Sequence, residues 1–253
     1  MLDPLILFPI LFITGFTAGL IDSISGGGGL LTLPILLSIG LPPHLALGTN
    51  KFQSTFGSFT ATYYYRRHNV VKIREAIKGI LYTAVGTVVG TWSVQQIDSG
   101  FLGHLIPWLL FTIAVYTFFS PKLGLKDQHP RLPPNIFYFL FGLLFGFYDG
   151  FFGPGVGSFW AIAFVVVLGF SLTKATGYTK AMNFTSNIVS AVVFMIGGNT
   201  SYTIGVVMAG GQIIGSVIGA RLVVRKGAKL IRPIFITIVI LTTLKLLSQN
   251  YFK

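Results

Sequence analysis

The chain alternates long apolar runs with short segments that carry glycine, proline or charge. Apolar runs of about 20 residues are typical of helices that cross a bilayer, whose hydrocarbon core is ~30 Å thick. With the breaks taken as helix ends, the pattern predicts helices over residues 5–24, 28–40, 44–66, 75–96, 101–119, 137–150, 156–169, 173–196, 202–223 and 233–247. Segments 28–40 and 156–169 reach only about 20 Å each. Each of them therefore predicts a re-entrant or broken helix after a glycine-rich break.

The second half of the chain repeats the first. Three segments of one half align with three of the other: 15–29 with 142–156 (GFTAGLIDSISGGGG, GLLFGFYDGFFGPGV), 46–51 with 175–180 (ALGTNK, ATGYTK), and 86–91 with 215–220 (GTVVGT, GSVIGA). An internal duplication of this kind changes every later inference about the fold. It predicts a first transmembrane repeat over 1–120, a cytoplasmic linker over 121–135 and a second transmembrane repeat over 136–253.

Composition agrees with a membrane protein, because 53% of the residues are hydrophobic and only 9% are charged, outside the usual soluble range. The net charge of +12 would indicate a nucleic-acid partner in a soluble protein. Most of the basic residues, however, fall in three short stretches: Arg66, Arg67, Lys72, Arg74 and Lys78; Lys122, Lys126 and Arg131; Arg221, Arg225, Lys226, Lys229 and Arg232. Such clusters are typical of cytoplasmic loops, so we expect no nucleic acid to bind.

Equivalent loops of the two halves differ in charge. The basic loop after segment 44–66 corresponds to the uncharged GGNTS of 197–201. In the next loop the order is reversed, since IDSG of 97–100 has no basic residue and corresponds to the basic RKGAKLIR of 225–232. Equivalent loops therefore face opposite sides of the membrane, with both termini outside. The sequence predicts an all-α polytopic membrane protein of two inverted-topology repeats, an arrangement that secondary transporters use to bind substrate near the bilayer midplane.

Four charged residues, Asp22, Lys51, Asp149 and Lys180, fall inside predicted membrane segments. A single charge at the bilayer centre costs about 2.5–3.5 kcal/mol on the insertion scale, so these groups are expected to be paired, hydrated or functional. One interpretation is an Asp–Lys pair inside each half, or lysines that reach to an interface. The other is a basic site that admits an anion, with Asp22 and Asp149 as proton-coupling candidates because a carboxyl removed from water binds a proton more readily.

Polar side chains and glycines surround both lysines. Helical spacing and the glycine breaks select these further candidates for anion binding: Thr49, Asn50, Ser54, Asn183, Asn187, Gly28 and Gly155. Hydroxyls, amides and the N–H groups at a helix N-terminus all donate to an oxyanion. The same residues also suit hydrogen bonding and close packing between helices. Trp160, in the second short segment, is expected to line the cavity in which the anion would bind.

Other chemistry is excluded by what the chain lacks. There is no cysteine, which excludes disulfides and thiolate sites. The four histidines show no ligand spacing and no nucleophile elbow or zinc motif is present. The glycine tracts lack the GK[ST] continuation of a phosphate-binding loop. The sequence therefore predicts no enzyme activity, no cofactor and no metal. The glycine pairs 86/90 and 215/219 are interpreted as helix-packing faces.

The segment GFTAGLIDSISGGGGLLTLPILLSIGLPPHLALGTNKFQS, residues 15–54, and its weaker copy in the second half resemble the TauE/SafE sulfite exporter family, which includes the YfcA-like proteins. The resemblance spans almost the whole chain. It implies a bacterial or archaeal inner-membrane permease for small sulfur-containing or organic anions such as sulfite or sulfonates. The second copy departs from the first, with Tyr178 and Thr179 where the first has Thr49 and Asn50.

The leading hypothesis is a secondary transporter that works by alternating access. In it, Lys51 and Lys180 bind the anion at the midplane and the halves rock around it, with a proton or another ion as a coupled partner. The alternative is an anion channel with the same basic lining.

Overall fold

A computed structural model of the chain describes residues 3–119 and 127–226, so the predicted segment 233–247 lies outside the described residues. Within these ranges the chain is helical and contains no strand. The helices are α1 (Pro4–Ser25), α2 (Gly28–Ser38), α3 (Pro43–Arg67), α4 (Ile73–Gln95), α5 (Ser99–Phe119), α6 (Pro134–Phe151), α7 (Val156–Val166), α8 (Leu172–Ile196) and α9 (Tyr202–Lys226). Each of these helices coincides with a predicted one to within a few residues.

Both predicted breaks are present. Gly26 and Gly27 separate α1 from α2, and Gly153 and Gly155 precede α7, all with positive φ angles between 71° and 134°. Glycine adopts such angles without the steric penalty that a side chain brings. Helices α2 and α7 have 11 residues each, or about 16 Å at 1.5 Å per residue. Each is therefore a half-helix, about half as long as a ~30 Å hydrocarbon core is thick.

The helices place polar residues inside and large apolar residues on the surface. In α3 the interior side carries Asn50, Lys51 and Gln53, all buried, whereas Phe59 and Tyr63 are more than half exposed. The exposed side chains of α4, α6 and α9 are likewise mostly valine, isoleucine, leucine and phenylalanine. A soluble protein shows the opposite arrangement. A surface of this kind is suited to contact with lipid.

By length and hydropathy alone, two described helices, Pro4–Ile24 and Tyr202–Arg225, are apolar enough to cross a membrane. Some long helices fall below this measure because it averages over the whole circumference. Helix α3, for example, contains asparagine, lysine and glutamine, but these side chains face the protein interior and not the surface. The average hydropathy therefore understates how apolar the outer faces are.

Small residues let two pairs of helices pack closely. Helix α1 lies against α9, with Gly15 next to Met208, and α4 lies against α6, with Gly86 next to Leu143. A side chain at Gly90 would collide with the α6 backbone. The glycine pairs 86/90 and 215/219 are thus confirmed as packing faces.

The contacts also give the helix directions. Residue numbers rise together along α1 and α9, from Gly15 against Met208 to Gly19 against Gln212, so these helices are parallel. The same holds for α4 and α6, where Thr87 and Thr91 donate to the carbonyls of residues 146 and 150 at 3.1 Å. Helices α3 and α8 are antiparallel and cross at the centre, since residue 48 meets 194 and 58 meets 187.

The loops gather at two ends of the helix bundle. At one end the Tyr178 hydroxyl donates to Glu75 at 2.6 Å and Lys78 donates to Asn135 at 2.8 Å. The basic residues of the α3–α4 loop lie at this end, which we call the basic end. At the other end Asn199 donates to Gln95 at 3.0 Å. The site described next lies between the two ends.

Candidate functional site

The four charges that the sequence predicts to lie in the membrane form two ion pairs, and each pair joins the two halves. Lys51 on α3 pairs with Asp149 on α6, and Lys180 on α8 pairs with Asp22 on α1 at 2.9 Å. Both lysines are buried, with 2% and 0% of their side chains exposed. The interpretation of an Asp–Lys pair inside each half, or of lysines reaching an interface, is therefore wrong. Pairing keeps the buried net charge at zero, which offsets part of the desolvation cost.

A cavity of ≈ 30 Å³ lies between the two breaks and the middles of α3 and α8. Since about 10–15 Å³ of such volume holds one water molecule, it accommodates roughly two waters. Eight of the eleven residues predicted from the sequence line this cavity: Asp22, Asn50, Lys51, Ser54, Asp149, Gly155, Asn183 and Asn187. The sequence pattern thus placed most of its candidates around one small polar space.

The other three predicted residues, Thr49, Lys180 and Gly28, do not line the cavity. The Thr49 hydroxyl accepts from the Ser201 N–H at 2.9 Å, at the start of α9. Lys180 points to Asp22, and the Gly28 N–H donates to the same carboxylate at 3.2 Å. Lys180 and Gly28 therefore reach the cavity only through Asp22, and Thr49 contacts the start of α9.

Lys51 and Asn50 direct donors toward the cavity. The Asn50 carbonyl oxygen accepts from Gln53 Nε2 at 3.0 Å and from the Thr32 hydroxyl. This leaves the Asn50 NH2 group beside Gly29, where it is available as a donor. The Lys51 ammonium has three N–H groups, of which Asp149 takes one. Ser54 receives a hydrogen bond from Gln53 at 2.9 Å, so its own proton is free to turn toward a ligand.

On the opposite wall the amides are already engaged. In the orientation that satisfies both neighbours, Asn183 accepts from Lys180 Nζ at 3.2 Å and donates to the Thr179 carbonyl at 3.3 Å. Asn187 donates to the Ser58 hydroxyl at 3.2 Å, across the α3–α8 contact. The cavity is therefore asymmetric, and its unsatisfied donors come mainly from α3.

The two half-helix N-termini also differ. The N–H groups of Gly27 and Gly28 donate to Asp22 Oδ1 at 3.0 and 3.2 Å, so the expectation that they are open to a ligand is wrong for α2. The carboxylate satisfies the donors and the positive end of the helix dipole. In the α7 break the corresponding residue is Pro154, which has no N–H. Within the described residues no backbone group donates to Asp149.

Sequence reasoning missed three buried polar residues around the site. Ser186 donates to Asp149, while Thr32 and Gln53 fix the Asn50 amide. Thr32 is a polar side chain in the middle of the mostly apolar α2, and Ser186 lies one turn beyond Asn183 on α8. Both positions were visible signals. Helical spacing from the two lysines selects neither of them, because Thr32 lies on another helix and Ser186 lies six residues after Lys180.

Trp160 does not line the cavity. It is fully buried among aromatic side chains, stacked against Phe164 at 5.2 Å between ring centroids and edge-on to Phe145 at 5.1 Å. The cause is the direction of α7, which turns this side chain toward α6 and not toward the break. Its role in the described part of the chain is packing.

The chain matches the family described as sulfite exporter TauE/SafE over residues 11–246. It is 43% identical over 251 residues to a probable membrane transporter protein of Haemophilus influenzae, covering 97% of each chain. It is also 43% identical over 251 residues to the probable membrane transporter protein YfcA of Escherichia coli, covering 99% of this chain and 93% of that one. No solved structure matches.

Proposed function

Because the chain belongs to the sulfite exporter TauE/SafE family, a family of membrane transporters and not of enzymes, we propose that it is a secondary transporter for a small anion. The substrate class is a sulfur-containing or organic anion such as sulfite or a sulfonate. The observation that carries this proposal is the Lys51 ammonium, which is buried, lines the cavity between the halves and keeps donors beyond its ion pair.

The proposed architecture is two inverted-topology repeats, 1–120 and 136–253, joined by a cytoplasmic linker over 121–135. Support comes from the helix directions. The equivalent helices α3 and α8 are antiparallel, and the close pairs α1–α9 and α4–α6 correspond to each other under the repeat. The ion pairs Lys51–Asp149 and Lys180–Asp22 correspond in the same way.

The proposed orientation places the basic end in the cytoplasm of a prokaryotic cell, with the protein in the inner membrane and both termini outside. The described basic residues of the α3–α4 loop, the linker residue Arg131 and the end of α9 all belong to this end. Cytoplasmic loops carry an excess of lysine and arginine. Attachment of a reporter enzyme to either terminus tests the orientation, because only an outside terminus makes a periplasmic reporter active.

In the proposed mechanism the anion binds between the halves, against Lys51, Asn50 and Ser54. Lys180 keeps Asp22 and Asn183 in place on the opposite wall, and Thr49, Asn187, Gly28 and Gly155 hold the surrounding helices in position. Rocking of one half against the other then exposes the cavity to each side in turn. Asp22 and Asp149 are the candidates for ion coupling.

Counterflow in proteoliposomes tests the transporter. Liposomes preloaded with unlabelled sulfite or sulfoacetate should take up the labelled anion transiently, a property of carriers and not of channels. Lys51→Gln should weaken binding about 10- to 100-fold, because a charge-assisted hydrogen bond contributes about 1.5–3 kcal/mol. The matched control is Lys72→Gln, since the Lys72 side chain is 72% exposed at the basic end and does not line the cavity.

Two results would contradict the proposal. Conductance that carries the anion without counterflow would favour the channel with the same basic lining. Equal anion affinity in the wild type and in Lys51→Gln would remove Lys51 from the site.

A further inference from the structure

Two repeat-equivalent carboxylates, Asp22 and Asp149, are held in different ways. Asp22 accepts from two backbone N–H groups, those of Gly27 at 3.0 Å and Gly28 at 3.2 Å, and from Lys180 at 2.9 Å. Asp149 accepts only from side chains within the described residues, namely Lys51 and Ser186. One carboxylate is thus fixed to the backbone of a half-helix, and the other is fixed to groups that can rotate.

The sequence explains this difference. In the alignment of the halves, Pro154 stands where the first half has Gly27, and proline has no N–H to donate. Ser186 stands where the first half has Gly57, which has no hydroxyl. The second half therefore replaces a backbone donor by a serine donor. The two aspartates therefore differ in the kind of donor that accompanies the lysine.

The asymmetry decides which carboxyl can hold a proton. A protonated carboxyl needs an acceptor for its O–H, and a hydroxyl can act either as donor or as acceptor. Ser186 can turn its proton toward the Asn183 carbonyl, which lies 3.1 Å from its oxygen, and accept from Asp149. A backbone N–H can only donate. Protonation of Asp22 would weaken the hydrogen bonds from Gly27 and Gly28, which the α2 N-terminus needs.

We infer that Asp149, and not Asp22, carries one proton for each anion that binds. This inference rests on the proposed function. The anion takes the place of the Asp149 carboxylate against the Lys51 ammonium, and the proton from solution bonds to Asp149, which becomes a neutral acid hydrogen-bonded to Ser186. Before binding the cavity holds one ammonium and one carboxylate at this position. After binding it holds one ammonium, one anion and one neutral acid, so the buried net charge is unchanged.

No other described charge contacts Asp149. Helix α3 presents Lys51 to it, and α8 presents Ser186. Helix α4 faces α6 with Thr87 and Thr91, whose hydroxyls donate to α6 carbonyls. The neighbouring titratable group on α6 is Tyr148, whose hydroxyl donates to the Pro154 carbonyl at 2.7 Å. The charge balance therefore depends on Lys51 and the incoming anion.

The test counts protons during anion binding. Purified protein in detergent and weak buffer, with a pH indicator, is titrated with methanesulfonate, which stays ionised near neutral pH and so brings no proton of its own. The wild type should take up close to one proton for each anion bound. Its Kd for the anion should therefore increase up to about tenfold for each unit by which the pH is raised. Infrared difference spectra should show the carbonyl band of a new carboxylic acid. These wild-type measurements need no variant.

The variants assign the proton. Asp149→Asn should bind the anion more tightly than the wild type, without proton uptake, without the infrared band and without a pH-dependent Kd. The control is Asp127→Asn, because this carboxylate is 56% exposed and does not line the cavity; it should keep all three signals. Binding by the wild type with no proton uptake, or uptake that persists in Asp149→Asn, would overturn the inference. Absence of wild-type binding to methanesulfonate, sulfite and sulfoacetate alike would instead contradict the proposed function itself.

Discussion

Each buried lysine pairs with the aspartate of the other half. This arrangement predicts which pairs of substitutions have coupled effects on the free energy of unfolding. In the structure Lys51 bonds to Asp149 of the other half and not to Asp22 of its own. Lys51→Met leaves Asp149 buried without its partner, and Asp149→Leu leaves Lys51 in the same state. Removal of one member of a buried pair costs about 3–5 kcal/mol. Each single variant should therefore lose about that much free energy of unfolding.

The double variant Lys51→Met/Asp149→Leu should recover most of this loss, since replacement of both charges by apolar groups is often neutral. The coupling energy in the cycle should thus be several kcal/mol. The control cycle combines Lys51→Met with Asp22→Leu, whose side chains are not paired. Because both residues line the same cavity, its coupling should be small but not zero, below about 1 kcal/mol.

Equilibrium unfolding in mixed micelles of increasing SDS content measures these energies. A thermal scan gives an independent check, since about 1 kcal/mol corresponds to roughly 2–4 °C in a chain of this size. Each single variant should accordingly melt about 6–20 °C below the wild type. A larger coupling for Lys51 with Asp22 than for Lys51 with Asp149 would refute the pairing across the halves, and with it the site described above.

Three further predictions concern the packing and the basic end. Gly150→Leu should prevent folding or lower the free energy of unfolding by more than about 3 kcal/mol, because even a Cβ there collides with the α4 backbone. Expression level and size-exclusion profile measure this effect. A stable, monodisperse variant would contradict the close α4–α6 contact. Tyr178→Phe removes the 2.6 Å hydrogen bond to Glu75 that joins α8 to α4 at the basic end. This substitution should lower the free energy of unfolding by about 1–3 kcal/mol. An unchanged SDS unfolding midpoint would contradict a stabilising role for this hydrogen bond. The Ser171 N–H holds the pKa of Asp127 below its ordinary value, so this contact should stabilise the protein above the unfolded-state pKa and be lost as the pH falls through the lowered folded-state value. Asp127→Asn should lower the free energy of unfolding by less than about 1 kcal/mol, because the side chain is 56% exposed. In thermal-shift measurements, the difference between variant and wild type should shrink as the pH falls, and a difference that grows on acidification would contradict this prediction.

Helix positions could be predicted from the sequence because they follow from local properties. Apolar runs, prolines at helix starts and glycines at breaks gave the described helices to within a few residues. The two half-helices followed from their short length and from the glycine-rich break before each. The presence of lysine and aspartate in the interior followed as well, since a charge in an apolar run must be buried or paired.

Partners in space could not be predicted in this way. That Lys51 meets Asp149, and Lys180 meets Asp22, depends on how two halves of the chain are placed against each other. The spacing on α3 and α8 is equally compatible with pairing inside each half. Only contacts between residues about 100 or more positions apart distinguish the two arrangements.

The sequence by itself determined an apolar, helical chain of two similar halves with a lysine and an aspartate at equivalent places in each. The tertiary structure decided that the two places are not equivalent in chemistry. Lys51 lines the cavity, whereas Lys180 does not and is directed to Asp22. Asp22 also accepts hydrogen bonds from the N-terminus of α2. Asp149 has no such bond, because Pro154 has no N–H. A repeat in sequence specifies where charges lie along the helices, and the long-range packing of those helices determines which donors each charge meets.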